Sequence, residues 1–209
     1  MTITKSFLEP VGVMPVMVID RVEDAVPITS ALKAGGIHAV EITLRTAAAL
    51  DALRAIKAEC EGVLLGVGTI VNEQNLRDVA EIGVDFAVSP GFTPSLIKAA
   101  QDLGVELLPG VATPSEVMVA MELGLECMKL FPAVAVGGIP LLKSIGGPLP
   151  QASFCPTGGL TIDTFTDFLA LPNVACVGGT WLVPKDAVDQ QDWDRITEIA
   201  KKTVAKIPV

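Results

Sequence analysis

A lysine interrupts an apolar run at CMKLFPA, residues 127–133. Lys129 lies between Met128 and Leu130, and the period of two in a strand groups it with Cys127 and Phe131. A long side chain can carry its charge out to water. A lysine that stays buried instead loses preference for its charged form, and the neutral amine attacks a carbonyl carbon to form a Schiff base. Two further sets of residues could serve such chemistry. In AVEITLR (39–45), Glu41, Thr43 and Arg45 stand at alternate positions and share one face. A carboxylate there could move protons and a guanidinium could hold an anionic group. Near the C-terminus, Pro156-Thr157-Gly158-Gly159 and Val177-Gly178-Gly179-Thr180 let backbone approach a ligand closely and present N–H groups to a phosphate. Tight turns with no ligand would use the same glycines.

Other chemistries fall away on composition. The chain has one histidine, His38, so no zinc site of several imidazoles forms within it, and a Ser-His-Asp triad would have to recruit that residue. His38 follows the Gly35-Gly36 turn and reads as structural or surface. Neither a metal nor a cofactor is expected. Cys60, Cys127, Cys155 and Cys176 are widely spaced without a CxxC pair and read as buried, reduced thiols. A net charge of −9 argues against nucleic acid or an anionic membrane as a partner, though not against an anionic small molecule held locally.

These residues need a frame. Over 209 residues, half of them apolar, the chain can bury one sizeable core, and a single domain over 1–209 is expected. No apolar run reaches the roughly 18 residues of a membrane span. The opening MTITKSFLEP lacks the charged start, apolar middle and cleavage site of a signal peptide, so a cytoplasmic location is expected. Eight short β-rich runs recur at 13–19, 39–45, 63–69, 85–91, 105–111, 127–133, 153–159 and 174–180. Helix signals fill the gaps. Thr113-Pro114-Ser115-Glu116 offers a cap, an N1 proline and a capping-box glutamate, Thr93-Pro94 opens a helix closed by Gly104, and Asn72 caps one closed by Gly83. Pro27 leaves the first turn of its helix open, the connection at 137–147 looks short, and Thr161 is placed to cap the helix after Gly159.

Eight strands alternating with helices predict a (β/α)₈ TIM barrel, with an open doubly wound sheet as the alternative. In a barrel, functional groups gather at the C-terminal strand ends, which is where these polar residues fall. A barrel strand has no solvated face, so Glu41 and Arg45 are better read as site groups than as surface. The seventh and eighth loops, with their paired glycines, are the usual phosphate end.

EITLR, GVGT, SPG, LLPGVATPSE, MKLFPA, FCPTGG and VGGTWLVP together resemble the 2-keto-3-deoxy-6-phosphogluconate aldolases, which share their barrel with the 4-hydroxy-2-oxoglutarate aldolases. The resemblance runs from about residue 10 to residue 185. It implies that Lys129 forms the Schiff base and Glu41 is the general acid/base. It implies that Arg45 and Thr69 hold the pyruvate-side carboxylate, with Pro90 and Phe131 lining that pocket. Gly158, Gly159, Gly179 and Thr180 match the phosphate end, and Thr157 influences stereochemical preference. A phosphorylated keto-acid substrate, an Entner–Doudoroff role, a homotrimer and metal-free catalysis are implied as well. The sequence departs from the family in two places, with Thr180 where serine is usual and an apolar 133–138 loop where polar or acidic residues are usual. The galactonate epimer and 4-hydroxy-2-oxoglutarate stay open as substrates. A phosphosugar isomerase or epimerase, and a barrel that binds without turnover, are the rival readings.

Overall fold

The computed structural model describes residues 3–207. Its sheet is parallel throughout. Strands β1 (Val13–Met17), β2 (Ala39–Thr43), β3 (Leu64–Gly68), β4 (Phe86–Val88) and β5 (Leu107–Leu108) pair in sequence, and β9 (Val177–Gly179) pairs with β1 on the other side. Strand β6 (Gly110–Val111) continues β5 past Pro109 and pairs with β7 (Cys127–Leu130), which pairs with β8 (Ser153–Phe154). Isolated bridges Phe154↔Val174 and Thr157↔Gly178 join β8 to the β9 side, so the sheet curls closed. Proline has no N–H to donate, which interrupts the fifth strand, yet the Pro109 carbonyl still accepts from the Lys129 N–H at 2.8 Å. This is the eight-strand barrel order, not the open sheet.

The helices begin where local chemistry predicts. Thr113 and Glu116 form a complete capping box on α6 (Pro114–Glu122), Thr93 caps α5 (Pro94–Leu103) and Asn72 caps α4 (Glu73–Ile82). Gly83 and Gly104 end α4 and α5 in the left-handed conformation that glycine adopts without a Cβ clash. Helix α2 (Val22–Ala34) runs through Pro27, and α7 (Gly138–Gly146) is nine residues long, the same as α6. One cap differs from expectation. The carbonyl of Thr161 accepts from the N–H groups of Thr164 and Phe165, forming a turn, so α8 (Phe165–Leu169) starts after Thr164.

Alternation divides the strands into two apolar layers. Val13, Val40, Ile42, Ala87, Met128 and Leu130 face the surrounding helices, while Met14, Phe86, Val88, Leu108, Cys127, Cys155 and Cys176 form a smaller cluster inside. The N-terminal segment, which carried no sequence signal, closes one end of that interior. Ile3 and Leu8 are buried in the inner cluster, and Phe7 of α1 (Lys5–Leu8) meets Phe86 edge to face at 6.1 Å. The Phe86 ring occupies the space a side chain on Gly66 would need, since a Cβ there would lie 2.1 Å from it.

Three cysteines are buried and Cys60 is half-buried, which corrects the expectation for that residue. Burial pushes the Cys127 thiol up to about 12. The Cys176 thiol is raised chiefly by its contact with Cys155 and then by burial. Such thiols are structural and inert rather than nucleophilic.

Candidate active site

Lys129 and Glu41 meet inside the barrel. Lys129 Nζ donates to Glu41 Oε1 at 3.2 Å, and the two residues are 4% and 2% exposed. The lysine therefore does not carry its charge to bulk water. Glu41 comes from β2 and Lys129 from β7, so the contact spans the barrel interior rather than neighbouring strands. Lys129 Nζ also stands 5.3 Å from the centroid of the half-buried Phe131 ring, the next residue on its face.

What gives Glu41 its place is a residue that sequence reading did not single out. A Cβ on Gly68 would lie 2.0 Å from Glu41 Oε1, so the carboxylate occupies the side-chain space of that position. The detectable signal was the alternation of glycines in LLGVG, which puts two missing side chains on the interior face of β3. Gly68→Ala is expected to displace Glu41 by about an ångström and cut turnover on the order of 10²-fold, the usual consequence of such a misplacement. Steady-state turnover alongside a melting curve checks this, and a folded variant with full turnover would refute it.

Thr43, buried on the same face as Glu41, donates to the Met17 carbonyl at 2.9 Å and ties β2 to β1. Arg45 lies beyond the strand end and is exposed, and its Nε donates to Thr69 Oγ1 at 2.9 Å. Thr69 has φ of 66°, a left-handed conformation unusual for a β-branched residue. Strain of this kind concentrates at functional positions, and here it accompanies a hydroxyl held against a guanidinium. Pro90 follows β4, and its carbonyl oxygen would lie 2.2 Å from a Cβ on Gly110, the residue paired with Lys129. Thus Lys129, Glu41 and Phe131 come together, as do Arg45 and Thr69, with Pro90 crossing the strand beside Lys129.

The glycine-rich strand ends are built differently from one another. Gly158 and Gly159 have φ of 101° and 86°, so both require glycine for backbone reasons. The Gly158 carbonyl accepts from the Val134 N–H, and a Cβ on Gly159 would meet Val134 at 2.7 Å. Gly178 and Gly179 are glycine because neighbours fill their side-chain space. Thr157 Oγ1 would lie 2.3 Å from a Cβ on Gly178, and the Trp181 ring 1.7 Å from one on Gly179. Thr157 is buried and its carbonyl accepts from the Ala133 N–H, whereas Thr180 is exposed. Among the described residues no cluster of three or more His, Cys, Asp or Glu is suited to a metal ion, and His38 is exposed.

A buried amine hydrogen-bonded to a carboxylate, beside an aromatic ring and at the strand ends of a parallel barrel, can attack a carbonyl and pass protons. Comparison with known proteins gives the same direction. Residues 4–199 match the family described as KDPG and KHG aldolase. A KHG/KDPG aldolase of Escherichia coli is 47% identical over 203 residues, covering 97% of this chain and 95% of that protein. A 2-dehydro-3-deoxy-phosphogluconate aldolase of Pseudoalteromonas atlantica is 49% identical over 193 residues, covering 92% and 90%. A Legionella pneumophila KDPG aldolase, whose crystal structure holds pyruvate captured at low pH as a covalent carbinolamine intermediate, superposes with a TM-score of 0.93. It is 44% identical, and the match covers 96% of this chain and 98% of that one. With barrel, buried lysine–glutamate pair and sequence all in agreement, this chain belongs to the KDPG and KHG aldolase family.

Proposed function

We propose that this protein is a class I aldolase that cleaves 2-keto-3-deoxy-6-phosphogluconate to pyruvate and glyceraldehyde 3-phosphate through a Schiff base on Lys129. The observation that carries the reading is the 3.2 Å contact between two buried groups, Lys129 Nζ and Glu41 Oε1. Lys129, having given up a proton, attacks the C2 ketone and forms a carbinolamine. Glu41 delivers the proton with which the C2 oxygen leaves as water, producing an iminium that withdraws electrons. Glu41 then takes the proton of the C4 hydroxyl, the C3–C4 bond breaks, and its electron pair moves into an enamine as the aldehyde departs. Glu41 returns that proton to C3, and addition of water releases pyruvate and restores the amine. One carboxylate serving successive steps suits a site in which, among the described residues, Glu41 is the carboxylate paired with the nucleophile.

The remaining roles follow from the resemblance and are compatible with the geometry. Arg45 and Thr69, bonded to each other, would hold the substrate carboxylate, with Pro90 and Phe131 lining that end. Gly158, Gly159, Gly179 and Thr180 would take the phosphate, and Thr157 would bear on the C4 configuration. The Escherichia coli relative bears the names of both substrates, and this favours 4-hydroxy-2-oxoglutarate as a second substrate here. The galactonate epimer would undergo the same chemistry. We further propose a homotrimer, as the family resemblance implies, and a cytoplasmic location, in keeping with unpaired cysteines.

Incubation with pyruvate and borohydride, followed by intact mass and peptide mapping, tests the central claim. A stable pyruvate adduct on Lys129 is expected. An isomerase, an epimerase or a non-catalytic barrel would give none, and its absence would overturn the reading. The phosphate end can be tested separately with Gly159→Val, which places a side chain against Val134 in a backbone conformation that disfavours it. Losing hydrogen bonds to a charged group corresponds to a rise of roughly 10–100-fold in KM for the phosphorylated substrate. Pyruvate has no phosphate and should still be trapped. Equal damage to trapping and cleavage in a folded variant would refute this division of the site.

A further inference from the structure

Trp181 joins the two glycine-rich loops to the C-terminal helix, and the reaction as described makes no use of it. Its indole fills the side-chain space of Gly179, with Cζ3 1.7 Å from where a Cβ would sit. The same ring stacks on Phe165 at 5.5 Å between centroids and 27° between planes. Phe165 opens α8, the helix reached from the Gly158-Gly159 loop through the turn at Thr161. The indole Nε1 donates to Thr203 Oγ1 at 3.3 Å, and Thr203 is wholly buried in α10 (Trp193–Val204). One side chain therefore touches the β9 end, the helix following the β8 end and the last helix of the chain.

We propose that Trp181, oriented by Thr203, is a positioning residue that sets the relation between the Gly158-Gly159 and Gly179-Thr180 loops. It would thereby tune affinity for the phosphate without altering the chemistry at Lys129. The inference rests on assigning those loops to the phosphate. The physical argument is directional. A ring stacked on Phe165 and filling the side-chain space of Gly179 fixes a separation, and the N–H bond to Thr203 helps to fix the ring's rotation. Indole carries one donor only, and among the described residues its side-chain partner is Thr203. Backbone donors aimed at a phosphate lose affinity when their mutual geometry drifts, whereas a carbonyl poised over Lys129 depends on Glu41, Arg45 and Thr69, which belong to β2 and to the segments that follow β2 and β3 rather than to these two loops.

Thr203→Val removes the acceptor at nearly constant volume, and Trp181→Phe removes the donor while retaining a ring against Gly179 and Phe165. Each is expected to raise KM for the phosphorylated substrate by about three- to tenfold, the worth of one hydrogen bond. kcat should change by less than twofold. KM for 4-hydroxy-2-oxoglutarate and the rate of pyruvate trapping should stay at wild-type values. The double variant should cost no more than the larger single change, because both remove one interaction. Thr203→Ser keeps the hydroxyl and should restore KM. A general loosening of the barrel would instead lower the melting temperature and depress both substrates together, and that outcome would overturn the proposal. So would an unchanged KM ratio between the two substrates while pyruvate trapping is intact. Failure of the wild-type protein to trap pyruvate would remove the underlying aldolase reading and this inference with it.

Discussion

Lys129→Ala is expected to lose both substrate cleavage and borohydride trapping of pyruvate, to below detection. In the proposed reaction the amine is the atom that bonds to the ketone carbon, so no neighbouring group restores the covalent route. Lys129→Arg should be equally inactive, since guanidinium stays protonated in proteins and cannot attack. The two variants should differ in stability. Alanine leaves Glu41, 2% exposed, without the cation it contacts at 3.2 Å, and breaking a buried pair by removing one partner costs about 3–5 kcal/mol. Arginine keeps a positive charge nearby, although its larger head must displace neighbours in an interior where Phe131 lies close and Glu41 already occupies the side-chain space of Gly68. Melting curves should therefore place alanine below wild type even when circular dichroism reports the same fold. Turnover near the wild-type rate in folded Lys129→Ala would end the Schiff-base account, and trapping at another lysine would move the nucleophile elsewhere.

Much of this was readable from local pattern. The period of two in β2 and β7 put Glu41 with Thr43 and Arg45, and Lys129 with Cys127 and Phe131; the interior has these groups on the expected faces except Arg45, which stands exposed beyond the end of β2. The caps at Asn72, Thr93 and Thr113 need only three or four adjacent residues, and each forms as its sequence specifies. Among the expected caps, Thr161 is the one that did not hold. A threonine at the start of a turn satisfies the same backbone donors as an N-cap, so residue type alone does not separate the two.

The rest depends on contacts between distant segments. Gly68 matters because β2 and β3 pair in a register that sets Thr43 beside Gly68, and no window of sequence contains that register. Thr69's positive φ is likewise invisible in its residue type, which would ordinarily argue against it. Glycine at 178 and 179 suggested room for a ligand, yet Thr157 and Trp181 occupy the vacated space. The N-terminal helix carries too few residues for a periodic signal, and its role emerges only where Phe7 reaches Phe86. Sequence pattern thus located the buried lysine–glutamate pair, while long-range packing determined how firmly each member is held.

Glu41→Gln is the sharpest separation of proton transfer from binding. Glutamine keeps the volume and can still accept from Lys129 Nζ through its amide oxygen, so the hydrogen bond at 3.2 Å need not be lost. Its amide carries no exchangeable carboxyl proton, however, and three steps of the proposed reaction call on one. General acid–base catalysis by a positioned side chain is typically worth about 10²–10⁴-fold, and kcat should fall on that order. KM should change much less, because Glu41 is not assigned to either end of the substrate. Enamine protonation can be followed alone, as deuterium entering the methyl group of pyruvate in heavy water. That exchange should slow in parallel with cleavage, whereas borohydride should still trap the adduct given longer incubation. Cleavage and exchange both within tenfold of wild type would exclude Glu41 as the proton carrier. Normal exchange with impaired cleavage would confine it to the C4 hydroxyl, contradicting one carboxylate acting throughout.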